Sequence, residues 1–469
     1  MNLNLAWRNI WRNKRRTLIT VASVLFAVFF ALIMRSLQLG SYDHMFRNVI
    51  ESYTGYVQIQ HEDFKENSTI DNIFEYKPET EQLLFTSSNV KSVIPRFESF
   101  ALASTGNLTK GVLVMGIDPE KEKLLSNVNG RLVLYRLTRE VIDSLKKSEI
   151  PEKVKLKLEL FKDNAYTNES LLQLELGISD KEAGTIMPVI KKISAFSNGY
   201  ISSGKKQALI GVRLARFLRM NIGDTLVLIG QGYHGTTAAG TFEVAGIVKL
   251  PTPDLDNKIV YLPVDVCQEF YNAPGMLTSL ALYVNDNDDK ELDRMISSLG
   301  EILPDPLRIL GWREMNELLL NQMDADNKSG MIMIAILYLI IAFGIFGTVL
   351  MMTAERRREF GVLVAVGMQK SKLAIIITFE MVLIGLLGII SGIILALPVI
   401  IIGHYNPIRF SGEMAKMYED YGMEPIMPFM PVDYYFLWQT IVVVILVCMA
   451  IIYPVRKIFK MKVVNSLKA

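Results

Sequence analysis

Four uncharged or nearly uncharged apolar runs decide most of what this chain can fold into. They cover residues 17–34 (extendable to 40), 329–354, 373–403 and 434–455. Crossing about 30 Å of hydrocarbon takes about 20 helical residues at ~1.5 Å each, so each run is of spanning length. Only the third carries a charge within its core, Glu380. Half of the chain is apolar (50%), yet 21% is charged, which points to a few spans plus a large water-facing part.

Charge at the ends of the runs gives an orientation. Arg8, Arg12, Lys14, Arg15 and Arg16 precede the first run, and Arg356, Arg357, Arg358, Lys370 and Lys372 lie between the second and third. Arg456, Lys457, Lys460, Lys462 and Lys468 follow the last. The 404–433 loop instead has Glu413, Glu419, Asp420, Glu424 and Asp433 against Arg409 and Lys416. Lys and Arg mark cytoplasmic segments. Both termini and the 355–372 linker are therefore expected in the cytoplasm, with 41–328 and 404–433 outside. The expected layout is a cytoplasmic interfacial helix over 1–16, spans at 17–40, 329–354, 373–403 and 434–455, and a cytoplasmic tail over 456–469. The first run reads as a retained span, because Met34-Arg35-Ser36-Leu37-Gln38 offers no small-x-small cleavage site.

The 41–328 segment is long enough for its own core. Alternating stretches at 55–60, 111–117, 224–229, 241–250, 258–262 and 277–284 predict strands, and 208–220, 264–272 and 288–299 predict helices. The expected class is a membrane protein with four transmembrane α-helices and a large α+β extracytoplasmic domain between helices 1 and 2. Residues 131–195 are Lys/Glu-rich with Leu145, Val154, Leu156, Leu158, Leu160, Leu171, Leu172 and Leu174 at helical spacing, and predict a helical insertion.

Most chemistry is excluded by composition and spacing. Gly199-Tyr-Ile-Ser-Ser-Gly204-Lys205-Lys206 resembles a phosphate loop but puts Lys206 where Ser or Thr must hold magnesium. The chain is thus not expected to be an enzyme or to bind ATP itself, and no cofactor is expected. His44, His61, His234 and His404 lack metal-ligand spacing, and Cys267 and Cys448 are far apart, so no metal site is expected.

Some residues do stand out. Leu3, Trp7, Ile10 and Trp11 share one helical face, with Arg8, Arg12, Arg15 and Arg16 around it, as in a helix lying at the membrane surface. Glu380 within a span needs a partner, either an Arg of 356–358 or a backbone amide. Gly385, Gly388 and Gly392 allow close helix contact, inside the subunit or across a dimer. The segment Glu355-Arg356-Arg357-Arg358-Glu359-Phe360-Gly361-Val362-Leu363-Val364-Ala365-Val366-Gly367-Met368 joins a charged turn to small and apolar residues, with membrane on both sides.

That segment, with the four-span layout, resembles the FtsX-like/MacB-like permeases of ABC transporters, nearest the branch of the lipoprotein-releasing LolC and LolE. Ala6-Trp7-Arg8-Asn9-Ile10, Tyr56-Val57-Gln58-Ile59, Gly116-Ile117-Asp118-Pro119, Ala208-Leu209-Ile210-Gly211 and Tyr453-Pro454-Val455-Arg456 carry the same resemblance. It implies a dimer of permease subunits, the second a copy or a paralogue, working with separate cytoplasmic ATPase subunits in the inner membrane. The linker would be a coupling helix, with Glu355, Arg356, Arg357, Arg358, Glu359, Phe360, Gly361, Ala365, Gly367 and Met368 as contact residues. Motion rather than a pore would pass the force of ATP hydrolysis to the outer domain. The 131–195 insertion and the absence of a fused ATPase depart from MacB itself.

Three functions are compatible with this reading. The first is release of lipoproteins or other lipidated cargo, with an apolar cleft expected near Phe29, Phe30, Met34 and Met331. The second is transmission of a signal to an outer partner such as a cell-wall hydrolase. The third is tripartite efflux of peptides or drugs. A net charge of only +2 says nothing about nucleic acid, and no nucleic-acid partner is expected.

Overall fold

The structure is a computed structural model describing residues 2–12, 14–420 and 423–462, without the side chains of 2–5, 9, 16, 419 and 420. Leu3, Arg16, Glu419, Asp420 and Lys468, singled out above, therefore fall outside the described side chains. The chain divides into two compact units. One comprises Met1–His44, Asn321–Ile408 and Ile426–Ala469; the other comprises Met45–Leu320 and Arg409–Pro425.

Four helices are long and apolar enough to cross a membrane: Thr17–Thr54, Glu317–Glu355, Lys370–Tyr405 and Tyr434–Phe459. At ~1.5 Å per residue the second, of 39 residues, measures roughly 60 Å, about twice the hydrocarbon thickness. Hydropathy marks where a helix leaves lipid, not where it ends. Asp324, Asp326 and Lys328 keep residues 317–328 out of the apolar run, but Glu317, Leu318, Leu319, Leu320, Gln322, Met323 and Ala325 are good helix formers, so the helix starts well before that run.

In the first unit the third span is the packing centre, and its glycines show why. A Cβ on Gly388 would lie 2.5 Å from Val24 Cβ, and one on Gly392 2.8 Å from the Leu25 carbonyl oxygen of the first span. On the other side, a Cβ on Gly385 would lie 2.7 Å from Val447 Cγ1 of the fourth. The close contacts are thus within one subunit. The second span is the least enclosed, with 22% of its apolar window buried, and turns Leu339, Phe343 and Met351 outward.

The second unit is built on nine strands: β1 (Val57–His61), β2 (Val90–Ser104), β3 (Thr109–Ile117), β4 (Gln207–Gly211), β5 (Thr225–Gln231), β6 (Thr237–Val248), β7 (Ile259–Pro263), β8 (Ser279–Val284) and β9 (Leu307–Gly311). Their order is β9-β1-β8-β2-β3-β7-β4-β6-β5, and β5 pairs back onto β2. That last pairing closes β2, β3, β7, β4, β6 and β5 into a barrel, leaving β8, β1 and β9 as a flat extension. The fifteen-residue β2 belongs to both. Its residues 92–96 pair with 279–283 of β8, and Ala101–Ser104 pair with Val227–Gly230 of β5. All neighbours are antiparallel except β3 with β7 and β4 with β6.

The barrel holds Phe97, Ala101, Ala103, Val112, Val114 and Leu228 inward, while the extension packs Val57, Ile59 and Leu280 against Leu292, Met295 and Leu299 of the helix Asp289–Gly300. Closure removes the exposed edges that a six-stranded sheet would otherwise present. The helix expected over 208–220 is split: 207–211 is strand β4, and the helix runs only Val212–Leu218. Central-strand burial leaves 207–211 a continuous apolar run with no alternation to read.

The 131–195 segment forms four helices, Arg139–Lys146, Glu152–Leu160, Glu169–Leu176 and Asp180–Ser194. Leu145, Val154, Leu158 and Leu172 fill a separate core, whereas Leu156, Leu160 and Leu174 are exposed. Residues 409–425 carry a helix, Gly412–Asp420, and group with the barrel unit instead of forming a free loop. Within it Asn48 donates to Glu424 at 3.1 Å, and Arg409 lies 3.9 Å from Glu175.

Candidate functional site

The linker between the second and third spans folds into one short helix, Arg357–Ala365. The second-span helix stops at Glu355, and Arg356 leaves helical geometry at φ −89°, ψ 4°. The far end is closed by backbone chemistry. Gly367 donates to the Val364 carbonyl at 3.1 Å and Met368 to the Leu363 carbonyl at 3.0 Å. This paired closure needs a left-handed residue, and Gly367 supplies φ +106°. Gln369 then caps the third-span helix, which starts at Lys370. Lys370 Nζ donates to the carbonyls of Phe459 (3.3 Å) and Met461 (2.7 Å), tying the linker to the end of the fourth span.

The head of the segment is an ion-pair chain. Arg356 is buried and donates through Nη1 to both oxygens of Glu380, at 2.6 and 2.7 Å. Its Nε lies 3.4 Å from Glu359 Oε2, and the same oxygen accepts from Arg12 Nη2 at 2.6 Å. The guanidinium also stacks 5.4 Å from the centroid of Phe360. Four side chains from the N-terminal helix, the linker and the third span are thus joined in sequence: Arg12, Glu359, Arg356, Glu380. Glu380 has the partner its position demanded, Arg356. A charged hydrogen bond of this geometry in a buried place fixes orientation as well as charge.

Burial redistributes the expected contact residues. Phe360 and Gly361 face inward, so Gly361 does not present a surface to a partner, and Gly367 serves the helix end. The expectation for Gly361 is corrected: an amphipathic helix must hide one side, and Gly361 lies on it, whereas Gly367 is exposed just past the helix end. Arg357, Arg358, Glu359 and Ala365 are exposed, Met368 is half-buried, and Val362, Leu363 and Val366 join the exposed set. Val366 is 83% exposed, a high value for an apolar residue on an ordered turn. Val362, Leu363 and Val366 lie within the expected 355–372 linker, but the resemblance did not mark them as contact residues.

The N-terminal helix Asn2–Arg12 buries Ala6 and Ile10, while Trp7 and Trp11 stay about half exposed with ring centroids 5.9 Å apart. Arg8, Arg12 and Arg15 are exposed. Thr17 Oγ1 donates to the Ile10 carbonyl at 3.0 Å, turning this helix into the first span.

The residues expected to form a cargo cleft do not line one cavity. Met331 lines a cavity of about 560 Å³ with Arg35, Ile334, Tyr338, Trp438 and Gln439, but Phe29, Phe30 and Met34 are not on its walls. Phe29 packs on the core of the spans and Phe30 faces out. The cavity draws on the first, second and fourth spans, and the fourth was absent from the sequence expectation.

Residues 331–463 match the family model described as FtsX-like permease C-terminal. The chain is 25% identical over 244 residues to the lipoprotein-releasing system transmembrane protein LolC of Xylella fastidiosa (strain Temecula1 / ATCC 700964). It is 24% identical over 244 residues to that of strain 9a5c. Each alignment covers 48% of this chain and 57% of the relative, so the chain spans little more than half the length of the curated relatives it matches. The crystal structure of the periplasmic region of MacB from Actinobacillus actinomycetemcomitans aligns with TM-score 0.30 at 14% identity, covering 59% of this chain and 98% of that one. The extracellular domain of the noncanonic ABC-type transporter YknZ from Gram-positive bacteria aligns with TM-score 0.29 at 11% identity, covering 55% and 100%. Over residues 331–463 the chain is thus similar to the C-terminal part of FtsX-like permeases, over about half its length it is similar to LolC, and four of its helices are long and apolar enough to cross a membrane.

Proposed function

We propose that the chain is the permease subunit of an ATP-driven transporter of the mechanotransmission type, which releases lipoproteins or other lipidated cargo from the inner membrane. Its termini and linker face the cytoplasm, where separate ATPase subunits bind, and the barrel unit lies outside. A second permease subunit, identical or paralogous, completes the complex.

The observation that carries this reading is the linker. It is a short helix clamped at its head by Arg356 and Glu380, closed at its end by Gly367, and exposing Val362, Leu363 and Val366. A rigid helix with an outward apolar tip between two spans suits transfer of a push from a docked protein into the membrane helices. The cargo class rests on the likeness to LolC, whose name describes lipoprotein release.

The test is purification of the full chain with its ATPase from membranes, followed by mass spectrometry of what accompanies it. Acylated proteins are the expected companions. A stoichiometric hydrolase with no lipid-bearing cargo would replace release with signalling. An adaptor protein accompanied by free peptides would replace it with efflux.

A further inference from the structure

We propose that the barrel unit holds a binding site for a primary amine carried on an apolar body, with the Glu98 carboxylate as its counter-ion. The proposal is independent of the transport reading.

The site is a cavity of about 370 Å³, within the range of small-ligand pockets, roughly 300–1,000 Å³. Phe64, Phe100, Leu113 and Leu255 give it apolar walls, and Tyr53 and Glu98 put two polar groups among them. Glu98 Oε2 accepts from the Tyr53 hydroxyl at 2.7 Å. Among the described residues no hydrogen bond reaches the other carboxylate oxygen.

The charge of Glu98 is only partly answered by its neighbours. Behind Glu98, the fully buried Arg96 donates to Glu122 through Nε at 3.1 Å and through Nη2, and to the Tyr53 carbonyl through Nη1. Arg96 and Glu122 therefore cancel. At the rim, Lys258 and Asp254 lie 2.7 Å apart and cancel as well. Glu98 is left with the Tyr53 hydroxyl and the more distant pull of Arg96. Burial raises its pKa, against the pull of Arg96 and of the Tyr53 hydrogen bond.

The geometry of the carboxylate selects the cation. A guanidinium fork is best matched by two acceptor oxygens, whereas Glu98 offers one that is not already engaged. A divalent metal favours several ionised oxygen ligands, and among the described residues no group of three or more His, Cys, Asp or Glu could hold one. A compact ammonium fits one carboxylate oxygen. The apolar body is called for by the walls and by what lies beyond them. Phe100 pairs with Leu113, and Leu102 with Ile229, in the strand registers. Alternation places Phe100 and Leu102 on the Glu98 side of β2. Phe100, Leu102 and Ile229 are 63%, 52% and 47% exposed, an apolar shelf running from the mouth of the cavity.

The experiment is calorimetric titration of the purified full chain in detergent with 2-phenylethylamine, 2-phenylethanol and 3-phenylpropionate. A peptide arm uses Phe-Gly amide and its N-acetyl form. The amine is expected to bind at least about tenfold more tightly than the alcohol, the size of a modest charge-assisted bond, and the acid most weakly. Glu98→Gln should bring the amine down to the alcohol and leave alcohol binding unchanged. Leu255→Trp, which fills the cavity, should abolish both. Tighter binding by the free amine indicates a small-molecule ligand, and tighter binding by Phe-Gly amide over its acetylated form indicates a peptide N-terminus. Equal affinity for amine and alcohol, no binding by any probe, or amine binding that survives Glu98→Gln overturns the proposal. If Glu98→Gln does not fold, amine binding that survives Leu255→Trp overturns it instead.

Discussion

Arg356 reaches across 24 residues of chain to hold both carboxylate oxygens of Glu380 with a single nitrogen, at 2.6 and 2.7 Å. Both side chains are nearly sealed off, 8% and 5% exposed. Removing one partner leaves the other charge buried and unpaired, which costs about 3–5 kcal/mol. Glu380→Ala should therefore lower stability by that amount, measured as the loss in free energy of unfolding in detergent. The double change Arg356→Met with Glu380→Leu should recover most of it, because an apolar pair of similar volume needs no compensation. A Glu380→Ala protein as stable as the parent would show that the pair contributes nothing.

The exposed tip of the linker helix separates docking from folding. Val366→Glu puts a charge at a position 83% exposed, where folding stability should change by no more than about 0.5 kcal/mol. Under the coupling proposal, the same change should weaken association with the ATPase at least about tenfold in a pull-down titration, a loss of about 1.4 kcal/mol. Unchanged association would remove this tip from the docking surface.

Gly367 is tested by its backbone alone. A Cβ there meets nothing within 4 Å, so a substitution has room, but φ +106° is strained for any L side chain. Gly367→Ala should cost about 1–2 kcal/mol, and Gly367→Asn less, since Asn tolerates left-handed backbone best. The order of unfolding midpoints, Gly above Asn above Ala, is the check. A tie between Gly and Ala would contradict the role given to this residue.

Asp256 gives the barrel unit a pH dependence of defined sign. Its carboxylate is fully buried, accepting from the Leu250 and Arg213 amides at 2.8 Å each. Burial raises its pKa from 3.8 to about 6. The folded protein therefore keeps a proton that the unfolded chain has released. Its contribution is present below pH about 4 and is lost as pH rises through about 6, at about 1.4 kcal/mol per unit, or roughly 3 kcal/mol in all. Asp256→Asn should flatten that slope in unfolding midpoints recorded from pH 4 to 7. An equally steep slope in the variant would assign it to other groups.

The membrane architecture was legible because hydrocarbon enforces long apolar runs, and 329–354 or 434–455 admit few other readings. The linker stood out for the same reason, since charge between two spans has to be explained. Which arginine answers Glu380 was not, because Arg356, Arg357 and Arg358 are chemically equal and only the helix break at Arg356 turns one of them inward. Gly367 carried a readable signal, a glycine just past an apolar helical stretch, that points to a helix end before it points to a partner. β2 went unread because Pro95 interrupts it and because its two halves answer to strands far away in sequence, on β8 and β5. The cavity at Met331 was half legible: Met331 was expected to line a cleft, but nothing local ties it to Trp438 and Gln439.

The shared strand has a further consequence. Because residues 92–96 serve the flat extension and Ala101–Ser104 close the barrel, neither portion of the unit owns a complete set of strands. A boundary drawn between 90 and 104 would cut a strand against which both cores are built, so a truncation there should not yield two soluble pieces. Peptide amides along this strand should be among the last to exchange with solvent, protected together and released together when the unit unfolds. A backbone common to two cores makes them a single mechanical body, through which a displacement at Val90 is felt at Ser104 with no hinge between.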